Sequence, residues 1–226
     1  MNKIIAATVV AGSLLNNIAS AETETERTYL EFAVYTVKDD GPFPATRLEA
    51  EKNLRNNTTG LLWWKRLKGK SGEYADILAW ASPEDANQAV KMLEKDELFR
   101  PFTSSILSMT HFGHYWAATD SALLSDQLDT APLIEIALYT VQDASIHSKV
   151  HKKLYKRLSD QQGMLGGARL TASTIENEFG DLLIWKDAAT WNKTGQILMQ
   201  EPELADFFKG VDNSLVFALF TRDVTK

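Results

Sequence analysis

The sequence predicts an α+β protein built from two tandem copies of one β-α-β-β-α-β unit, and three observations support this. First, the β-rich segment Glu31–Asp39 (EFAVYTVKD) recurs as Glu135–Asp143 (EIALYTVQD). Second, the strand-like pattern Asp-(Ile/Leu)-Leu-x-Trp ends at Trp80 and again at Trp185. Third, these and other matching blocks keep the same order, separated by 103 to 106 residues. A regular separation of this kind indicates a duplicated structural unit.

Two further blocks complete the repeat and set its boundaries. Gly60–Leu67 aligns with Gly163–Leu170, and Met92–Phe102 aligns with Leu198–Phe208. The segment between the two halves is polar and is predicted to be a linker. The chain therefore divides into a first repeat, a linker and a second repeat, at residues 28–117, 118–131 and 132–223.

Both halves show the same order of predicted elements. A β-rich run comes first, at 29–37 or 133–141. An amphipathic helix follows, and its apolar stripe in the second half is Ile146, Val150, Leu154 and Leu158. The remaining segments are a strand from Gly60 or Gly163, a strand at 74–81 or 179–185, a helix from Ser82 or over about 187–200, and a last strand at about 109–117 or 214–222.

This order is that of a ferredoxin-like unit, whose helices cover only one face of its sheet. The other face is apolar and must also be buried. Two tandem copies meet this requirement by packing sheet against sheet, which forms a closed α+β barrel within one chain. We therefore predict an intrachain pseudo-dimer and a protein that is monomeric in solution.

Composition and charge exclude several function classes. The 226 residues include 24 basic and 30 acidic side chains, and a net charge of −6 argues against nucleic acid as a partner. The chain has no cysteine, which excludes disulfides, iron–sulfur clusters, thiolate zinc sites and thiol nucleophiles. The sequence also lacks the usual nucleotide-binding, zincin and hydrolase-elbow motifs. A small molecule is the expected ligand.

The N-terminal residues 1–21 have the three parts of a secretory signal peptide in the right order. Lys3 supplies the positive start, Ile4–Leu15 is a short apolar run, and Ala19–Ala21 is a cleavage site that leaves Glu22 as the mature N-terminus. The apolar run is too short to span a bilayer. We expect a periplasmic or secreted protein without a membrane anchor; the alternative is a buried N-terminal helix.

The element order and the repeated motifs resemble the dimeric α+β barrel superfamily, nearest its antibiotic-biosynthesis-monooxygenase-like members, in an exported two-copy form. The resemblance spans most of 28–223 and rests on the repeated Tyr-Thr-Val strand and the Asp-(Ile/Leu)-Leu-x-Trp strand. The superfamily includes cofactor-free oxygenases of polycyclic aromatics, heme-degrading enzymes, heme peroxidase-like and chlorite-dismutase-like proteins, and small isomerases. The fold alone therefore does not select a function.

One departure from the family pattern concerns heme degradation. The heme-degrading members use an asparagine on the first strand together with a tryptophan and a histidine. The first strands of this chain carry Glu31 and Glu135 at this point and no asparagine. A direct transfer of the heme-degrading mechanism is therefore not supported.

The last strand of the first half carries two histidines that the second half lacks. Alignment of Phe112 with Phe217 places His111 on Val216 and His114 on Leu219. A buried imidazole near neutral pH is a candidate proton acceptor or heme ligand, and both histidines are candidate catalytic bases. The alternative is that each is a structural histidine, in the core or at its rim, whose ring is hydrogen-bonded to the backbone.

Strand alternation sends the two histidines to opposite faces of the sheet, so they cannot bind one metal ion together without a bulge. Tyr115 and Trp116, next to them in sequence, are candidate walls of a ligand site. The two predicted faces are Phe112, His114 and Trp116 on one side and His111, Gly113 and Tyr115 on the other.

The strand after the first helix also differs between the halves. Trp63-Trp64 in the first half corresponds to Gly166-Gly167 in the second. The tryptophans point to opposite faces, and either is a candidate to stack on an aromatic ligand. The glycines leave room for a ligand or permit a close backbone approach. The alternative at all four positions is ordinary core packing.

The first helix of the second half carries His147, His151 and Tyr155 at a spacing of four residues, along one stripe. Two imidazoles at this spacing can bind zinc or copper, or one can ligate heme while Lys152 or Arg157 pairs with a propionate. The alternative is a solvated helix flank, since no acidic residue of the stripe completes a metal site. The first half has Phe43, Arg47 and Glu51 at these positions.

These observations leave three functions open. The first is a small-molecule site that supports cofactor-independent monooxygenation of an aromatic or quinol-like compound, with His114 or His111 as base. The second is heme binding or processing, with His147 or His151 as ligand. The third is a non-enzymatic binding module. We expect no cofactor, with heme as the alternative.

Overall fold

The computed structural model describes residues 27–39, 41–93 and 96–224. The predicted signal peptide at 1–21 lies outside the described residues. Within them, no helix is both long enough and apolar enough to cross a membrane. The first half contains β1 (Thr28–Val37), α1 (Phe43–Asn57), β2 (Leu61–Gly69), β3 (Tyr74–Trp80), α2 (Pro83–Leu93), α3 (Arg100–Ser105) and β4 (Ile106–Ala117).

A helix that the sequence does not predict, α4 (Ser121–Thr130), joins the two halves. The second half repeats the first, with an additional 3-10 turn at Pro202–Leu204. Its elements are β5 (Leu133–Val141), α5 (Ala144–Ser159), β6 (Met164–Ala172), β7 (Glu178–Trp185), α6 (Ala188–Leu198), α7 (Ala205–Gly210) and β8 (Val211–Arg222).

All eight strands of the described residues form one closed barrel in the order β1-β3-β2-β8-β5-β7-β6-β4. Each half contributes four antiparallel strands, and the halves join where β2 pairs with β8 and where β4 pairs with β6. The predicted fold, two tandem ferredoxin-like units packed as an intrachain α+β barrel, is confirmed. Equivalent pairings also support the alignment, because Ala33 faces Phe112 and Ala137 faces Phe217.

Alternating side chains divide the apolar core into three clusters. One cluster fills the barrel interior, and the other two lie between the outer faces of the strands and the helices of each half. Phe102 of α3 and Phe207 of α7 occupy equivalent places in the two outer clusters. The sequence alignment instead paired Phe102 with Phe208, so it is wrong by one residue at this point.

The segment predicted as a polar linker contributes to the core. Asp120 caps α4 by accepting a hydrogen bond from the Leu123 backbone nitrogen at 2.8 Å. Leu124 and Leu128, one turn apart, are fully buried in the cluster that fills the barrel. The segment 118–131 is therefore a structural part of the barrel and not only a connection.

The burial of α4 gives a test of this role. Leu124→Ala is expected to lower the free energy of unfolding by about 2–5 kcal/mol, because it removes a fully buried side chain. The neighbouring Leu123 is 52% exposed, and Leu123→Ala is expected to change the free energy by no more than about 0.5 kcal/mol. Urea denaturation measures both, and equal effects of the two substitutions would contradict the assignment.

Candidate active site

Each half buries one aspartate of the repeated strand motif against the helices. In the first half, the Tyr35 hydroxyl donates to Asp76 Oδ2 at 2.5 Å. In the second half, the Tyr139 hydroxyl donates to Asp181 Oδ2 at 3.3 Å. Both aspartates are at most 4% exposed. The motif is thus a fold feature that also places a buried carboxylate at the same position of each half.

The first half neutralises its aspartate with a buried arginine on α1. Arg47 Nε lies 2.9 Å from Asp76 Oδ1, and Arg47 Nη1 lies 3.0 Å from Asp223 Oδ2. Arg47 also donates to the backbone oxygens of Leu67 and Ala75. Because neighbouring groups surround the guanidinium, this arrangement is structural and leaves no open position for a ligand.

The second half has histidines where the first has Phe43 and Arg47. His147 and His151 of α5 are each 2% exposed, so the solvated helix flank is wrong. His151 Nε2 lies 2.8 Å from Asp181 Oδ1, and the acidic partner missing from the helix stripe thus comes from β7. Burial, together with the adjacent His151, lowers the pKa of His147 to about 4, although the Asp181 carboxylate acts to raise it.

The two tryptophans of β2 point to opposite faces, as strand alternation requires. Trp63 faces the barrel interior and donates from Nε1 to the Ser121 hydroxyl of α4 at 3.0 Å. Trp64 lies under the helices and donates to Asp76 Oδ1 at 2.5 Å. Both side chains therefore have partners within the fold.

The glycines of β6 permit close packing and do not leave an open space. A Cβ atom on Gly167 would lie 2.1 Å from the Leu182 backbone oxygen, and Gly167 has a φ of 131°. A Cβ atom on Gly166 would meet the Gln127 side chain of α4. The Tyr155 hydroxyl donates to the Gly167 oxygen at 2.6 Å. Of the two possibilities at Gly166-Gly167, the structure shows the close approach.

His111 lies in a closed polar network that points into the barrel. Its Nε2 is 2.8 Å from the Tyr115 hydroxyl, which also donates to Glu178 at the start of β7. Burial lowers the pKa of His111, and the Glu178 carboxylate acts in the opposite direction. Burial, together with Glu178, raises the pKa of Tyr115. A histidine inside the packed barrel has little room for a substrate.

His114 lies on the other face of β4 and forms a partly exposed pair with Glu31 of β1. His114 Nε2 and Glu31 Oε2 are 3.1 Å apart, and the two side chains are 17% and 12% exposed. The Tyr29 ring stacks on the imidazole with centroids 5.5 Å apart, and the Phe112 ring meets the imidazole edge-on. Trp116 packs against Tyr29. We call Tyr29, Glu31, Phe112, His114 and Trp116 the Glu31–His114 cluster.

The Glu31–His114 cluster lies at the junction of the two halves. Ser173, in the turn after β6, contacts the Tyr29 hydroxyl through its Oγ at 3.3 Å and donates its backbone N–H to the His114 oxygen at 2.8 Å. Burial raises the pKa of Tyr29, and the Glu31 and Glu84 carboxylates raise it further. The second half thus forms part of the rim of a site carried by the first.

The corresponding position of the second half has a different arrangement. Glu135 takes the place of Glu31, but Leu219 replaces His114, and Trp185 Nε1 donates to Glu135 Oε2 at 2.8 Å. Trp191 of α6 also bonds Glu135, at the position that Ala86 occupies in α2. Burial raises the pKa of Glu135 to about 7, although both indoles act to lower it.

Trp191 packs over the Glu135 position, and a surface cleft of about 260 Å³ lies beside them. Phe217 contacts the Trp191 ring at a centroid distance of 6.1 Å. Ala86, at the equivalent position of the first half, is buried in the outer core cluster of that half. The cleft of the second half is lined by Lys70, Ser71, Glu73, Glu135, Trp191, Phe217, Ala218 and Leu219.

The structure separates the residues that the sequence proposed as one site. Trp116 lies with His114, whereas His111, Tyr115 and Trp63 face the interior. Trp64 lies against Asp76, and the Gly166, Gly167, His147 and His151 positions belong to the second half. Sequence reasoning missed the role of Glu31. The adjacency of first and last strands in a split β-α-β unit was the signal, because it places Glu31 opposite His114.

Comparisons with known proteins support the fold. No family model matches the chain, and no curated protein matches its sequence. Solved structures do match. An anthrone oxidase-like protein has 11% identity and a TM-score of 0.66, with 88% of this chain and 92% of that protein covered.

Two other matching structures have lower TM-scores. A chlorite dismutase from Candidatus Nitrospira defluvii, in complex with imidazole, has 10% identity and a TM-score of 0.59, with 87% and 91% of the two chains covered. A proposed monooxygenase from Lactobacillus acidophilus has 13% identity and a TM-score of 0.53, with 88% and 95% covered. At these identities the similarity shows the dimeric α+β barrel fold.

The buried Arg47 gives a stability prediction. Arg47→Ala is expected to lower the free energy of unfolding by about 3–5 kcal/mol, because it leaves Asp76 buried without its cation. Arg100 of α3 pairs with Glu97 on the surface, and Arg100→Ala is expected to cost no more than about 1 kcal/mol. Chemical denaturation of both variants provides the measurement. A small effect of Arg47→Ala would contradict this prediction, because it would show that Asp76 can be buried without its cation.

Glu135 gives a pH prediction. Its pKa is about 7 in the folded protein against an ordinary 4.5, so the folded state holds a proton that the unfolded chain releases. The associated stability is complete below about pH 4.5 and is lost as the pH rises through about 7. Glu135→Gln, which stays neutral, is therefore expected to raise stability relative to the parent protein at about pH 8 more than at about pH 5. A pH-independent difference in denaturation midpoint would contradict this.

Proposed function

We propose that the chain is a small-molecule-binding α+β barrel protein that oxygenates an aromatic or quinol-like compound without a cofactor at the Glu31–His114 cluster. The cluster supplies a base, a carboxylate that orients the base, and aromatic rings in a partly exposed position. We further propose that the mature protein is exported and works as a monomer. The signal-like residues 1–21 and the closure of the barrel within one chain support these two points.

The observation that carries the proposal is that Glu31 and its equivalent, Glu135, have different hydrogen-bond partners. In the second half, Glu135 accepts a hydrogen bond from Trp185. In the first half, Glu31 instead contacts His114, and the buried Trp80 Nε1, equivalent to that of Trp185, has no hydrogen-bond partner. An unsatisfied buried N–H costs about 1–3 kcal/mol. A pairing that leaves this cost in place is more readily explained by function than by stability.

The Glu31–His114 geometry suits proton abstraction. If Glu31 accepts the Nε2 proton of His114, then Nδ1 carries the lone pair that takes a proton from the substrate. The Glu31 carboxylate then stabilises the positive charge of the imidazolium. In this pair His114 is the base, and the Glu31 carboxylate holds its ring in place. Both side chains are partly exposed, which gives a ligand access to the pair.

The oxygenation balances with molecular oxygen as the oxidant. Loss of a proton from an activated CH₂ or from a phenolic or enolic group to His114 Nδ1 leaves a carbanion or its enolate form. This anion transfers electrons to O₂ and forms a C–O bond, and His114 returns the proton to give a hydroperoxide. Breaking of the O–O bond with loss of water leaves a carbonyl, so that CH₂ and O₂ become C=O and H₂O.

The aromatic residues of the cluster favour a flat, apolar substrate. Tyr29 stacks parallel to the imidazole at an interplanar angle of 10°, and Phe112 is 48% exposed although it contacts His114. An exposed phenylalanine beside a histidine is available to a ring of the substrate. The matched anthrone oxidase-like protein agrees with this substrate class.

The side chains proposed for heme fit it less well. His147 and His151 are buried, and their Nε2 atoms face Tyr139 and Asp181. Aromatic rings of Phe179 and Phe207 pack against His147 with centroids 4.8 and 5.0 Å away, which leaves no slot for a porphyrin. Arg157, proposed to pair with a propionate, is bonded to Glu201. We therefore assign no step to heme.

Oxygen uptake with a panel of anthrones, quinols and phenols tests the proposal. His114→Ala is expected to lower kcat by about 10²–10⁴-fold, the usual contribution of a positioned base. Glu31→Gln is expected to lower kcat and to alter its pH dependence, because the amide cannot stabilise the imidazolium. Glu135→Gln alters the equivalent carboxyl of the second half and is the matched control, with uptake expected to remain at the level of the parent protein.

Three results would contradict the oxygenase. Oxygen uptake that is unchanged in His114→Ala would show that His114 is not the base. Binding of panel compounds without uptake would favour a binding module. A saturable, stoichiometric Soret shift with hemin that disappears in His114→Ala would place heme, and not a substrate, at the cluster.

A further inference from the structure

We propose that Trp80 is a positioning residue of the Glu31–His114 cluster, and that Glu31 has a second position in which it accepts a hydrogen bond from Trp80 Nε1 instead of pairing with His114. In the first position, seen in the structure, Glu31 supports His114 as a base. In the second position His114 is released to act as an acid. The inference rests on the proposed oxygenation, in which His114 must return the proton that it takes.

Glu31 of β1 lies between two side chains that can donate a hydrogen bond. On β4, His114 is directly opposite Glu31, and the two side chains are in contact. On β3, Trp80 is opposite Tyr29, two residues before Glu31. Side chains at such diagonal positions are within reach of each other when one of them is aromatic. Glu31 can therefore pair with either donor.

The second half shows that a glutamate at this position reaches the indole. Glu135 and Trp185 have the same register on β5 and β7 that Glu31 and Trp80 have on β1 and β3. Trp185 Nε1 donates to Glu135 Oε2 at 2.8 Å. The residue opposite Glu135 on β8 is Leu219, which offers no side-chain donor. Because the register is shared, a rotation of the Glu31 side chain is enough to form the same bond in the first half.

The Trp80 N–H favours this second position. Trp80 is 2% exposed, and its buried Nε1 has no hydrogen-bond partner among the described residues. A buried N–H without an acceptor stabilises any conformation that supplies one. His114 is 17% exposed, so water can replace Glu31 at His114 Nε2 when the carboxylate turns away. While the imidazole is neutral, each position therefore gives Glu31 one donor, and charge favours neither.

The two positions suit the two proton transfers that the proposed reaction needs. A carboxylate next to the imidazole makes His114 a better base, because it stabilises the imidazolium. The same contact makes the imidazolium a poorer acid, so it opposes return of the proton to the peroxide anion. Movement of Glu31 to Trp80 removes this opposition, and the new bond to the indole lowers the free energy of that movement.

The competing explanation is that the Trp80 N–H keeps one state, either unsatisfied or bonded to water, and that Glu31 never leaves His114. A packing role for the Trp80 ring is common to both explanations, because Trp80 belongs to the outer core cluster of its half. The explanations differ in whether the Trp80 N–H responds when Glu31 loses His114 as a partner.

The experiment is NMR spectroscopy of the ¹⁵N-labelled mature chain, whose six tryptophans give six indole N–H signals. His114→Leu copies Leu219, so it leaves Glu31 with the indole as its donor across the strands. The Trp80 signal is expected to move downfield, and its exchange with solvent is expected to slow by at least about tenfold, the factor for one hydrogen bond to a charged group. The Trp185 signal is the internal control and is expected to stay in place.

A second measurement follows oxygen uptake with a compound that the parent protein oxygenates. Trp80→Phe keeps an aromatic ring and removes the N–H. It is expected to lower kcat by about tenfold and to leave KM unchanged, because the return of the proton loses the support of one hydrogen bond. Trp185→Phe removes the equivalent N–H from the second half and is the matched control, with kcat expected to equal that of the parent protein.

An unchanged Trp80 signal in folded His114→Leu, or an unchanged kcat in Trp80→Phe, would overturn the inference. If His114→Leu does not fold by circular dichroism, His114→Ala serves for the same NMR measurement. The NMR measurement needs no substrate. A Trp80 response without oxygen uptake would therefore contradict the oxygenase and support the second position of Glu31, whereas uptake with an unresponsive Trp80 would contradict only the positioning role.

Discussion

The burial of two apolar sheet faces against each other is the constraint on which this structure depends. Each four-stranded sheet has helices on one side only, so its other face is stable only when a second sheet covers it. The barrel closes at two junctions between halves, β2 with β8 and β4 with β6. Because close-packed side chains and the leucines of α4 fill the interior, most of the polar chemistry lies on the outer faces, beneath the helices.

Because the chain is duplicated, equivalent residues on the outer faces of the two sheets have different environments in the two halves. The buried aspartate of the third strand is paired with an arginine in one half and with a histidine in the other. The glutamate of the first strand contacts His114 in one half and Trp185 in the other. Because the shared elements maintain the fold, the residues above them were able to diverge. Function is therefore best sought at positions where equivalent residues differ.

The asymmetries were visible in the sequence, but their partners were not. Alternation along β4 correctly separates His111 from His114, because neighbouring strand residues point to opposite faces. The helical spacing of His147 and His151 shows that they share a face, but not that Asp181 of β7 lies beneath it. Likewise, the polar composition of 118–131 favours a linker. The structure instead forms a helix there, which places Leu124 and Leu128 one turn apart, and the barrel interior buries both side chains.

The sequence by itself determined the duplication, the β-α-β-β-α-β order within each unit and the sheet-to-sheet barrel, because repeats, strand alternation and helical periodicity are local patterns along the chain. Only the tertiary structure decided which side chains meet across strands and between halves. Glu31 and His114 are 83 residues apart, and His151 and Asp181 are 30 apart. Contacts of this range depend on register and on the angle of each helix over its sheet, which no local pattern specifies.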